Sequence, residues 1–68
     1  MDIGSTIKEL RKEIGLSQIQ LAKMVGYSQS EIASWERNES EPNVKAIKKL
    51  AKVLNCSCDY LLGEPVLY

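Results

Sequence analysis

The 68-residue chain has no histidine, and its only cysteines, Cys56 and Cys58, stand one residue apart without a second pair. Histidine is the side chain that ordinarily titrates near neutral pH, and it is the commonest metal ligand. A lone C-x-C falls short of the four ligands of a structural zinc site. A disulfide across one residue would be strained, so the two thiols read as buried free cysteines in a reducing compartment. No metal and no cofactor is expected. The chain also lacks a glycine-rich phosphate loop, a nucleophile–base pair and the room for a substrate pocket, so it is not read as an enzyme.

Further absences narrow the class. No apolar run approaches the roughly 20 residues that cross a bilayer, and the N-terminus has no basic-then-apolar signal, which points to a cytoplasmic protein away from membranes. Nine basic and nine acidic residues cancel. Composition therefore carries no nucleic-acid signature, and any such binding would need a basic face. There is no strand alternation, internal repeat or low-complexity segment. With 44% hydrophobic residues, ordinary for a globular chain, the expectation is one small all-α domain over residues 1–63 with a tail over 64–68.

What the chain does have is helical punctuation. Ile7, Leu10 and Ile14 recur at three- and four-residue spacing, giving a first helix from about Gly4 to Ile14 with Gly15 just past its end. Ser17 and Gln20 form a capping-box signature before the stripe Leu21, Ala22 and Val25. Gly26 supplies the positive φ of a tight turn. Ser28 and Glu31 repeat the capping spacing at once, and Ile32 and Trp35 give the next helix its inward face. Two short capped helices, 18–25 and 29–37, joined so closely have the layout of a helix-turn-helix. After a polar loop holding Pro42, Asn43 caps a fourth helix with Val44, Ile47, Leu50, Ala51 and Leu54 as its core stripe. Ser57 then caps a fifth, short helix, in which Asp59 favours the positive dipole end and Leu61 and Leu62 close the core before Gly63.

These motifs carry a resemblance. Q-x-x-L-A at 18–22, G-x-S at 26–28, I-x-x-W-E-R at 32–37, L-A at 50–51 and S-x-D-x-L-L-G at 57–63 resemble the Xre/Cro-type helix-turn-helix family of phage Cro proteins and repressor N-terminal domains. The resemblance runs from about Ile3 to Gly63. It implies a compact five-helix, lambda-repressor-like domain that binds a pseudo-palindromic double-stranded DNA operator as a homodimer, with the third helix in the major groove. It implies a transcriptional regulator, and specifically a repressor. Position by position, Gln18 would meet a phosphate, Gln29, Ser30 and Ser34 would face base edges with Ser28 and Ala33 beside them, and Arg37 and Asn38 would lie near the DNA backbone. Arg11 and Glu36 match a pair that bridges the first and third helices in some relatives. Asp59, Tyr60, Val66, Leu67 and Tyr68 would lie near the two-fold axis, although the tail may fold back on its own domain instead.

The residue chemistry is compatible with those roles. With Ile32 and Trp35 inward, a rotation of about 100° per residue leaves Gln29, Ser30, Ala33, Ser34 and Arg37 on more exposed faces. Glutamine can pair bidentately with adenine N6 and N7, serine serves either kind of edge, and an alanine methyl can touch a thymine methyl. Taken singly, Gln29 and Ser30 are better read as solvated polar residues of a first turn; inside this motif order they are read as DNA contacts. Glu31 is better explained as the capping partner of Ser28 than as a cytosine reader. Between Gln29 and Asn43 the single cation, Arg37, faces Glu31, Glu36, Glu39 and Glu41, so binding by a monomer should be weak. Lys45, Lys48, Lys49 and Lys52 read as a solvated helix face, with Lys45 alone placed to approach phosphate. Ile19 and Met24 should be exposed. The acidic loop and the apolar tail leave a second reading open: an antitoxin-like or co-regulator module whose partner is another protein.

Overall fold

Four side chains start four helices. The computed structural model describes residues 2–57 together with Tyr60 and Leu61. Asp2 caps α1 (Ile3–Ile14), Ser17 caps α2 (Gln18–Val25), Ser28 caps α3 (Gln29–Glu36) and Asn43 caps α4 (Val44–Leu54). Each cap oxygen accepts a backbone N–H from the first turn, one of the donors a helix start leaves unpaired. At Ser17 and Ser28 the capping box is complete, since Gln20 and Glu31 reach back to the cap N–H at 2.8 and 3.0 Å. The first helix starts one residue earlier than expected because Asp2 Oδ1 takes the Ser5 N–H at 2.7 Å.

The helix ends are as specific as the starts. The Gly15 N–H donates to Lys12 O and the Leu16 N–H to Arg11 O, with Gly15 at φ +87°. The third helix closes in the same way with Asn38 in the glycine position. Its N–H donates to Trp35 O, the Glu39 N–H donates to Ser34 O, and its φ is +59°. Asparagine is one of the few residues that tolerate this left-handed conformation. The helix therefore stops at Glu36, with Arg37 as its cap rather than its last turn.

α1 and α2 each pack against both α3 and α4. Ile7, Leu21, Ile32, Leu50 and Leu61 are fully buried between them, with Trp35 nearly so. The Tyr27 ring meets Trp35 edge-on at 5.1 Å between centroids. Two expected core residues lie outside. Ile14 is 48% exposed because the Gly15 turn folds the chain back, and Leu16 packs on the core instead. Val44 is 68% exposed, being the first residue of α4, and the inward stripe is Ala46, Leu50, Ala51 and Leu54. Ile19 and Met24 are half exposed on α2.

The described residues form four helices rather than the five expected. After α4 the Tyr60 N–H donates to Ser57 Oγ at 3.1 Å and the Leu61 N–H to Ser57 O at 3.3 Å, both in helical conformation, and Leu61 is buried. The expected roles of Cys58, Asp59, Leu62, Gly63, Val66, Leu67 and Tyr68 fall outside the described residues, while Cys56 is partly buried against the core. No described helix is long and apolar enough to cross a membrane.

Candidate nucleic-acid interface

Gly26, at φ +77°, turns the chain between α2 and α3 within three residues, so the two helices are held at a fixed angle. With Ile32, Trp35 and Glu36 buried, α3 presents Gln29 and Ser30 fully, and Ala33 and Ser34 in part. Small side chains at 30, 33 and 34 give this face low relief. Among them Gln29 is the one long side chain with both a donor and an acceptor.

Beneath this face lies an ion pair. Arg11 donates from Nε to Glu36 Oε2 at 2.7 Å and from Nη2 to Glu36 Oε1 at 3.1 Å, a two-pronged contact. Arg11 Nη1 donates to Leu16 O at 2.8 Å. The two side chains are 10% and 3% exposed. Gln18, at the start of α2, donates from Nε2 to Glu36 Oε1 at 3.1 Å, and its own Oε1 faces Gln29 Nε2 at 3.5 Å. Its amide is thus occupied by protein on both sides, where sequence reasoning expected a phosphate.

Three more of the expected contact residues are also engaged. The Ser28 hydroxyl is used by the capping box, accepting the Glu31 N–H and lying 3.1 Å from Glu31 Oε1. Ser34 Oγ is 2.7 Å from Ser40 Oγ, which ties the loop to the helix. Asn38 uses its whole side chain on α1, accepting the Gly4 N–H at 3.2 Å and donating to Asp2 Oδ1 at 3.0 Å. Gln29, whose amide meets only Gln18 at 3.5 Å, together with Ser30 and Ala33, is therefore less engaged than the other residues expected to face DNA.

The electrostatics of the rim are self-compensating. Arg37 donates from Nη2 to Glu39 Oε1 at 2.8 Å, with both side chains well exposed. That hydrogen bond, and then the guanidinium charge, hold the Glu39 carboxyl below its ordinary range, and the same contact pushes Arg37 up. Asp2 is likewise held low, first by the Ser5 N–H and then by Asn38. Of the lysine stripe, Lys49 Nζ sits 5.7 Å from the Tyr27 ring centre. Lys45, Lys48 and Lys52 are exposed. No group of metal-ligating side chains occurs among the described residues.

Sequence reasoning missed the Asp2 cap, the Asn38 clip, the Ser34–Ser40 contact and the Gln18–Glu36 bond. The first had a signal, an aspartate three residues before the serine whose N–H it accepts. The others join residues distant in the chain or depend on side-chain geometry.

The helix-turn-helix geometry, with both capping boxes intact, defines the class. The Helix-turn-helix family model matches residues 7–61, and the chain belongs to that family, in its Xre/Cro type. Among curated relatives, the repressor protein C2 of Salmonella phage P22 is 47% identical over 60 residues, covering 88% of this chain and 28% of the relative. The crystal structure of the P22 c2 repressor with synthetic operator 9T superposes with a TM-score of 0.91 at 43% identity, covering 96% of this chain and 98% of that one. A structure of the SinR–SinI protein complex matches with a TM-score of 0.86 at 40% identity, over 91% of this chain and 61% of that one. The chain spans between 28% and 50% of the length of the first curated relatives it matches.

Proposed function

We propose that this chain is a sequence-specific DNA-binding transcriptional regulator, a repressor that occupies a pseudo-palindromic operator as a homodimer in the cytoplasm. The observation that carries the reading is α3 itself. It is a helix capped at both ends, anchored through a buried ion pair, with Gln29, Ser30 and Ala33 outward. The overlap with a repressor solved on its operator supports the same orientation. Gln29 reads adenine through its amide, Ser30 and Ala33 make short contacts beside it, and Ser34 reaches a base edge once Ser40 releases it. Gln18 and Ser28 lie at helix starts, where backbone N–H groups seat phosphates. Arg37 and Asn38 lie near the DNA backbone beyond the helix.

Dimerisation brings two copies of α3 to one face of the duplex, with half-sites about 10 bp or a multiple apart. It also supplies the affinity that a monomer with so few cations lacks. Asp59, Tyr60 and the Val66–Leu67–Tyr68 segment are the proposed pairing surface, and the domain ends at Gly63, with 64–68 as its tail. The supporting relatives are regulators rather than enzymes.

A second reading, a protein-interaction module, is favoured by one observation. The loop Glu39–Glu41 is exposed and acidic, and its one neighbouring cation is already paired. Selection from a random double-stranded DNA pool at two salt concentrations separates the two. An enriched two-fold-symmetric site, bound more weakly at high salt, supports the regulator. A folded protein that enriches nothing belongs to the second reading.

A further inference from the structure

We propose that the groove between the end of α2 and the second half of α4 is a docking surface for a partner protein, its occupant a short acidic segment carrying leucine side chains. The proposal goes beyond DNA binding and does not depend on how α3 reads bases.

The groove has a volume of about 310 Å³, and its apolar lining is Met24 and Val25 from α2 with Val53 from α4. Val25 is buried, Val53 half-buried and Met24 57% exposed, so a flexible thioether stands free above aliphatic carbon. The charged lining is Lys23, Lys49 and Lys52, with no acidic residue among them. Both ion pairs among the described residues lie elsewhere, at Arg11–Glu36 and Arg37–Glu39. Lys49 meets the Tyr27 ring instead, 5.7 Å from its centre. Lys23 and Lys52 stand in the last turns of their helices, where a cation offsets the helix dipole. That accounts for two of the charges. It does not account for Lys49 or for the bare apolar strip that the three lysines share.

The chemistry of the lining selects the occupant. An apolar floor beside charges of one sign is complementary to a ligand with the opposite charge around an apolar centre. A DNA backbone offers the charge but no aliphatic side chain for the floor, whereas glutamates flanking leucines offer both. The volume lies at the low end of the roughly 300–1,000 Å³ of small-molecule pockets, which suits an anchoring side chain better than a whole enclosed ligand. None of the lining residues belongs to α3. Occupancy therefore leaves Gln29, Ser30 and Ala33 outward.

The test titrates the full chain, labelled with nitrogen-15, with a synthetic helical peptide. The peptide carries two leucines about four residues apart, flanked by glutamates. Two control peptides replace its glutamates by glutamine or its leucines by alanine. Amide shifts are expected to concentrate at residues 23–26 and 49–53, with affinity about tenfold lower for either control. Lys49→Gln combined with Lys52→Gln should lower it about fivefold, and Met24→Ala by a similar factor. All three side chains are exposed, so the fold is expected to survive, and unchanged resonances elsewhere confirm it. No shifts, shifts confined to α3, or an equal response to the glutamine control would overturn the proposal. So would groove shifts that grow with protein concentration alone, which would give the groove to a second copy. A double variant that loses affinity for duplex DNA would overturn it too, by giving the lysines to phosphate. The peptide titration needs no DNA, so its failure is separate from that of the selection on random DNA.

Discussion

The Asn38 side-chain oxygen accepts the backbone N–H of Gly4 at 3.2 Å, across 34 positions of sequence, and so joins the end of α3 to the start of α1. A Cβ on Gly4 would run into the Trp35 carbonyl and stand 2.8 Å from both Asn38 Oδ1 and the Glu36 carbonyl. The helices are this close only because residue 4 has no side chain. Gly4→Ala is therefore expected to cost about 1–3 kcal/mol despite its better helix propensity, by the logic of overpacking. Urea unfolding should show a lower midpoint at unchanged slope. A stability gain would mean that the two helix ends are not in contact.

Asp2 makes this junction sensitive to acid. Its carboxyl is held below the ordinary aspartate range by the Ser5 N–H and then by Asn38. A folded-state pKa below the unfolded one means that the carboxylate stabilises the fold above the unfolded value, about 3.9, and that this contribution is lost as pH falls through the lower folded value. Unfolding midpoints of Asp2→Asn should accordingly fall less steeply than the native protein's below about pH 4. Parallel curves would remove Asp2 from the acid response.

Arg11 and Glu36 are a buried pair, and removing one partner leaves a charge without compensation. Arg11→Met is expected to lose about 3–5 kcal/mol, whereas the double change Arg11→Met with Glu36→Leu should recover a large part of it. Chemical denaturation of both variants measures the difference. A double variant no more stable than the single would show that the pair itself, rather than the orphaned carboxylate, sets the loss.

On the rim, Glu39 holds the Arg37 side chain that the proposed function places near the DNA backbone. Glu39→Gln should raise affinity for specific and random DNA alike and steepen the salt dependence toward that of one more phosphate contact, about 0.9 in the log–log slope. Titrations at several salt concentrations test it. An unchanged slope would mean that Arg37 does not meet the backbone.

The parts of this structure that were legible in the sequence are those with local causes. Ser17 with Gln20 and Ser28 with Glu31 announce their helices because a capping box closes within four residues. The buried stripe of α2 follows from spacing alone. Val44 fits the apolar period yet is exposed, because period says which side a residue faces but not how far the neighbouring helices extend to cover it. The position of Gln18 at a helix start suggests a phosphate contact but gives no sign of the bond its amide donates to Glu36, 18 residues on. Asn38 likewise carried no sign of Gly4. Contacts between distant segments set which polar groups remain available, and a periodic pattern does not encode them.

The most direct test of α3 as the reading element repeats the selection from random DNA with Gln29→Ala beside the native chain. The expected result is the same two-fold-symmetric site with preference lost at one base pair in each half-site, a loss of about 1–3 kcal/mol there and an unchanged salt slope. An identical motif from both proteins, or a uniform loss at every position, would contradict base reading by this helix.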